Sequence, residues 1–270
     1  MAYTLRRDKL RNSKVLRPVR PNTGSEALYR KRLLEEVEAM GHSVAYWLEQ
    51  VYRQYPPAMA MDAVPANELR DAMAKVSRMW TYRFDRLTEW LAGHFARDVS
   101  ERSDHAFTSA LRNAGFTVRF TMTPAMRDIL NATIHENVNL IHSIPRQYLS
   151  QVEGMVMRSV QTGRDLSQLS GDLQSRLGVT KKRAALIARD QNNKATSAFT
   201  RARQTELGIT EAVWQHSGGG KTQRASHVRM SGKTYDVKRG MWDPTEGRNV
   251  FPGELINCRC TSRSVIAGFA

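Results

Sequence analysis

Apolar residues fall on two helical stripes in the first third of the chain. Leu33, Val37, Met40, Val44, Trp47, Val51 and Tyr55 are spaced by fours and threes. That rhythm predicts a long amphipathic helix opening at a Thr23-x-x-Glu26 capping box and ending at Pro56-Pro57. After Pro65 the spacing returns at Leu69, Met73, Val76, Trp80, Phe84, Leu87, Leu91 and Phe95. Two such helices joined by a short Pro-containing loop are expected to pack as an antiparallel hairpin, with the stripe aromatics in the core.

The pattern then shortens. A small helix is expected around His105–Arg112, stopping at Gly115, and Phe116, Val118, Phe120 and Met122 suggest a brief strand or an extended link. Thr123-Pro124 is a helix start, with Thr as N-cap and Pro in the first turn. The stripe from Met126 to Ile141 is expected to kink or break at Pro145 and resume from Tyr148 to Val160. Leu166–Leu177 reads as a short helix capped by Gly178, and Thr180 as the cap of a basic helix closed by Gly208. Only beyond Gly208 does the period change. Ala212–Trp214, Thr234–Val237 and Cys260–Ile266 read as short strands between Gly- and Pro-bearing loops. The expected fold is mainly α with a small C-terminal α+β module: long antiparallel helices followed by short strands. The expected divisions are a flexible basic arm at 1–24, a helical body at 25–134, a second helical part at 135–208 and the small module at 209–270.

Charge adds a partner to this picture. The chain of 270 residues carries 41 Lys+Arg against 26 Asp+Glu, a net +15. The excess is +6 over residues 1–20, zero over 21–178, +5 over 179–206 and +4 over 207–270. A neutral scaffold with basic ends suits a polyanion, either nucleic acid or an acidic protein surface. In the basic helix Lys181, Lys182, Arg189, Lys194, Arg201 and Arg203 are the candidate phosphate contacts. No finger, recognition-helix or sheet-aromatic signature is present, so contact with double-stranded DNA is expected to be non-specific. No apolar run approaches the ~18 residues of a membrane span, and none follows the basic N-terminus as a secretory signal would. Two cysteines spaced C-x-C are poorly placed to bridge each other and fit a reducing compartment.

The residues with chemistry to offer lie after Gly208. His216, His227, Cys258 and Cys260 form a possible ligand set for one structural Zn²⁺. Set against this is a reading without metal, with the cysteines buried in a strand and His227 and Arg224 bonded to backbone. A His227/Asn257 nuclease centre would need a metal carboxylate, and Asp236, Asp243 and Glu254 show no spacing that supplies one. A Cys258/His227 thiol pair is a further alternative. Gly218-Gly219-Gly220-Lys221-Thr222 lacks the first glycine of a phosphate loop and reads as a linker or hairpin.

The ordered series Val138-Asn139-Leu140-Ile141, Ala188-Arg189-Asp190, Arg224-x-x-His227, Gly232-Lys233-x-Tyr235, Pro252 and Asn257-Cys258-Arg259-Cys260 resembles the Mu F-like family of tailed-phage minor head proteins. The likeness covers about residues 135–266, and Asn-Cys-Arg-Cys is its sharpest part. Thr222 and Gln223 stand where many relatives carry an acid, and Asp190 follows Arg189 directly. The resemblance implies structural roles for Arg224, His227, Gly232, Pro252, Asn257, Cys258, Arg259 and Cys260, with no catalytic residue and no obligatory cofactor. It implies a non-enzymatic head morphogenesis protein that aids procapsid assembly and DNA packaging or ejection. Its partners would be the portal protein, or the major capsid or scaffolding protein. Its location would be the host cytoplasm during assembly and then the virion head.

Overall fold

The computed structural model describes residues 13–54, 64–161, 166–219 and 223–267, excluding the side chains of 64–66. Among these residues the elements, in chain order, are β1 (Ser13–Val15), α1 (Thr23–Gln54), α2 (Val64–Asn113), α3 (Pro124–Gln161), α4 (Leu166–Glu206), β2 (Glu211–Gln215), α5 (Ala225–Met230), β3 (Thr234–Asp236), β4 (Met241–Asp243), β5 (Arg248–Val250) and β6 (Thr261–Ala267). Long helices followed by short antiparallel strands are what the period of the apolar residues predicts. No helix among the described residues is long and apolar enough to cross a membrane. The chain divides into two compact units, a helical unit of Ala27–His94 and Ile134–Ala188 and a mixed unit of Met1–Glu26, Phe95–Thr133 and Arg189–Ala270.

In the helical unit Arg83 pairs bidentately with Glu36, a register that suits an antiparallel α1/α2 hairpin. Leu69, Met73, Val76, Trp80, Phe84 and Leu91 are buried as expected. The α1 stripe departs from the prediction. Leu33, Val37, Met40 and Val44 are buried, but Leu48 and Tyr52 continue the line, while Trp47 is exposed. A helix turns 100° per residue, so steps of four after Val44 stay on the core side where a step of three leaves it. Tyr55 and Pro56-Pro57 lie outside the described residues. Thr23 does not cap α1; the Asn22 side chain does, accepting the Gly24 and Ser25 amides at 2.9 and 3.1 Å.

Three expected interruptions are absent. Helix α2 runs unbroken through the proposed gap before His105, because Ala96, Val99, Phe107, Ala110 and Leu111 keep its buried face continuous. Helix α3 passes through Pro145, whose lost hydrogen bond is offset by the burial of Ile141, Ile144, Tyr148 and Val152 around it. Helix α4 includes both Gly178 and Thr180. The Thr180 hydroxyl donates back to the Arg176 carbonyl at 3.1 Å, a bond made inside a helix rather than at its start. The expected stop at Gly208 is real. Its φ is +69°, and the Ile209 amide returns to the Gln204 carbonyl at 2.8 Å.

The mixed unit holds an antiparallel sheet in the order β1-β6-β2-β3, with β4 and β5 as a separate hairpin. Strand β6 lies between β1 and β2, pairing Val265 with both Val15 and Glu211. The predicted flexible arm is therefore wrong for its second half. Ser13–Val15 adds the edge strand, and Leu16 and Val19 enter the core with Trp214, Val237, Val250 and Phe107. Composition concealed this because two apolar side chains suffice to anchor an edge strand among many arginines. Residues 1–12 lie outside the described set. Phe116–Met122 forms an extended link with no strand partner, and Phe120 stacks on Phe107 at 5.8 Å. Between β3 and β4, Gly240 has φ +79°, and a Cβ there would lie 2.6 Å from the Val250 carbonyl oxygen. Gly240→Ala is expected to cost about 2 kcal/mol or more, from left-handed strain plus a clash with backbone that has no rotamer to escape into. A urea midpoint unchanged from the parent would refute it.

Candidate functional site

Helix α5 is short, and its buried face carries Ser226, His227 and Met230. His227 sits at the centre of a closed polar cluster. Its Nδ1 lies 3.4 Å from Cys258 Sγ and 3.6 Å from Cys260 Sγ. Its Nε2 lies 3.3 Å from Asp243 Oδ2, within electrostatic reach though not aligned as a hydrogen bond. His227 is 2% exposed and Asp243 0%. Trp214 covers the imidazole edge-on, with centroids 5.0 Å apart.

Burial alone would raise the Asp243 pKa. The Thr245 amide, the Ser226 hydroxyl and His227 outweigh it and hold the carboxyl below its ordinary range. The cysteines divide their roles. A hydrogen bond from Cys260 outweighs burial and draws the Cys258 thiol below the usual thiol range. That same bond to Cys258, together with burial, pushes Cys260 up.

The loop carrying the cysteines is braced from helix α4. The Asn257 residue adopts φ +59°, and its amide donates to Asp190 Oδ1 at 2.5 Å. Arg189 Nε donates to the Asn257 side-chain oxygen at 3.2 Å, and Arg224 donates to the Ile256 carbonyl at 3.1 Å. The Ser197 hydroxyl bonds the Pro252 carbonyl, and a Cβ on Gly253 would meet Ser197 at 3.1 Å. The Gly232 amide ties the next turn to the Trp214 carbonyl at 2.8 Å. The residues that carry the resemblance therefore hold one loop in place. Asn257 and His227 take different partners, and the pair expected of a nuclease centre is not assembled.

His216 stands apart from the cysteine cluster. Its Nδ1 accepts the Gly218 amide at 3.1 Å, so the expected set of four is brought together as three: His227, Cys258 and Cys260. Asp243 was one of three candidate carboxylates, and its place beside His227 was not legible from spacing. It is 16 positions from His227, a separation no ligand-spacing rule covers, yet Asp243-Pro244-Thr245 is a turn signature that marks a structured carboxylate. Within the Gly218–Thr222 run, residues 220–222 lie outside the described set.

The basic helix is more engaged than its charge suggested. Arg203 is buried and bonded to Asp104, Glu206 and the Thr121 carbonyl, so it braces the fold and is not available to a phosphate. Arg201 lies flat over Phe251, 3.9 Å from the ring centre, and Lys194 pairs with Asp190 at 3.1 Å. Lys181 pairs with Glu38, while Lys182 is exposed. Arg189 instead lines a cleft of about 430 Å³ with Arg20, Arg259 and His216, and Glu26 is the one acid on its wall. Arg20 and Arg259 were not among the residues expected to meet DNA.

Fold and cluster define a helical protein ending in a small sheet pinned through a buried His–Cys–Cys group. Residues 150–263 match the family model described as Phage Mu protein F like protein, which supports the resemblance seen in the sequence. That family suggests phage head morphogenesis. A Haemophilus influenzae protein described as an uncharacterized protein is 27% identical over 266 residues, covering 97% of this chain. The chain spans 58% of that relative's length. No solved structure matches the chain significantly.

Proposed function

We propose that this is a non-enzymatic phage minor head protein, associated with the portal or the head interior, that aids procapsid assembly and DNA packaging or ejection. The Mu F-like match over residues 150–263 carries this reading. The site supports a structural role: His227 and Asp243 are sealed from solvent, leaving no surface on which a substrate could reach them. Tyr46, Trp47, Tyr82 and Trp90 are exposed on α1 and α2. Mass spectrometry of proheads and filled heads tests the reading; absence of the chain from both would overturn it. Cleavage of plasmid with Mg²⁺ or Mn²⁺, abolished in His227→Ala, would favour a metal-dependent nuclease instead.

Contact with DNA belongs in this reading to the cleft of Arg20, Arg189 and Arg259. Every arginine–phosphate pair that is removed should lower the slope of log K against log salt by about 0.9. Arg20→Ala with Arg259→Ala is therefore expected to reduce the slope by roughly 2 on a duplex of arbitrary sequence. Arg189 is spared because it also holds Asn257. An unchanged slope, measured by fluorescence anisotropy, would remove the cleft from the DNA surface.

A further inference from the structure

Two sulfurs crowd one nitrogen in the mixed unit. A neutral imidazole nitrogen offers a single lone pair, so Nδ1 of His227 can accept one S–H and not two. Yet Cys258 and Cys260 approach it at 3.4 and 3.6 Å. Asp243 beside Nε2 favours the proton on that side of the ring, which leaves the Nδ1 lone pair aimed at the sulfurs. All three ligand atoms lie within 4.8 Å of one another. A tetrahedral zinc with Zn–S near 2.3 Å and Zn–N near 2.05 Å requires N···S edges of about 3.6 Å. The observed separations match that edge before any adjustment.

We propose that His227 Nδ1, Cys258 Sγ and Cys260 Sγ hold one Zn²⁺ in the buried cluster. Two thiolates and an imidazole are borderline-soft donors that suit Zn²⁺ and exclude Mg²⁺ or Ca²⁺. Asp243 is the positioning carboxylate, set by Ser226 at 3.0 Å and by the Thr245 amide at 2.9 Å. Its charge, 3.3 Å from Nε2, favours the ring orientation that turns Nδ1 to the sulfurs. The ion would join the short helix α5 to the loop before β6, adding a cross-link to the side-chain bracing of that loop. Its role is to staple a small fold, a conclusion independent of where in a phage particle the protein sits.

The test uses untagged full-length protein purified under a phosphine reductant without chelator. Elemental analysis is expected to find about one zinc per chain. Less than a tenth of an equivalent, in material whose two thiols still titrate after denaturation, overturns the proposal. Cobalt added to metal-free protein should give thiolate-to-cobalt charge transfer and the intense visible bands of a tetrahedral site; a weak octahedral spectrum overturns it. Cysteine variants risk misfolding, so Asp243→Asn provides the second arm. It keeps all three ligands and should bind zinc about 10–100-fold more weakly. Equal zinc retention by a Cys258→Ser/Cys260→Ser double variant would mean the metal is held elsewhere and would sink the assignment.

Discussion

Replacing Arg203 with methionine is expected to destabilise the mixed unit by about 3–5 kcal/mol, the range for breaking a buried ion pair from one side. The guanidinium side chain is 3% exposed. It donates twice to Asp104, at 2.8 and 2.7 Å, and once each to Glu206 at 2.7 Å and the Thr121 carbonyl at 2.8 Å. It also lies 4.6 Å from the centre of the Phe120 ring. Burial works against its charge, but Asp104 and Glu206 prevail and raise its pKa further. Methionine fills much of the volume yet leaves two carboxylates facing each other and a carbonyl without its donor. The effect should appear as a lower urea midpoint at unchanged slope. A shift worth under 1 kcal/mol would show that the pairs merely balance their desolvation. Adding Asp104→Asn should recover part of the stability, since one of the stranded charges is then removed.

Arg203 also shows what the sequence could not disclose. The basic residues of α4 look alike in a charge count, and burial cannot be read from charge. Whether each meets solvent depends on the acid brought beside it by the fold, and Asp104 lies 99 positions away. The opposite error occurred at the N-terminus, where arginines hid the anchors Leu16 and Val19. Helical content, by contrast, was legible because the 3.6-residue period is written in every turn. Helix breaks were over-read. Gly178, Pro145 and the polar stretch before His105 are locally unfavourable, and buried stripes on either side override them.

Three of the four His and Cys residues singled out in the sequence do meet, and their support was not legible. Arg224-x-x-His227 and Asn257-Cys258-Arg259-Cys260 name residues that the fold brings together. Asp243 and the bracing by Arg189 and Asp190 depend on tertiary contacts that leave no period. The carboxylate next to Arg189 illustrates this. In sequence it is only a departure from the family pattern, whereas the fold uses it to hold the Asn257 amide in a left-handed turn.

Trp214→Ala is the second change expected to cost about 3–5 kcal/mol. Trp214 is fully buried in β2, between the core and the His–Cys–Cys cluster. Its ring meets His227 edge-on at 5.0 Å and Tyr235 at 6.0 Å. Removing the indole opens a cavity lined by side chains that cannot all collapse into it, because β2 is paired on both edges, to β3 and to β6. It also unroofs the imidazole and lets water reach a cluster whose electrostatics depend on exclusion. Trp214→Phe keeps an aromatic roof and should retain more than half of the stability that alanine forfeits. If alanine and phenylalanine proved equally damaging in urea titrations, the indole would matter through its N–H and not through its bulk. The sheet would then be held chiefly by its polar cluster, and the packing account of this unit would fail.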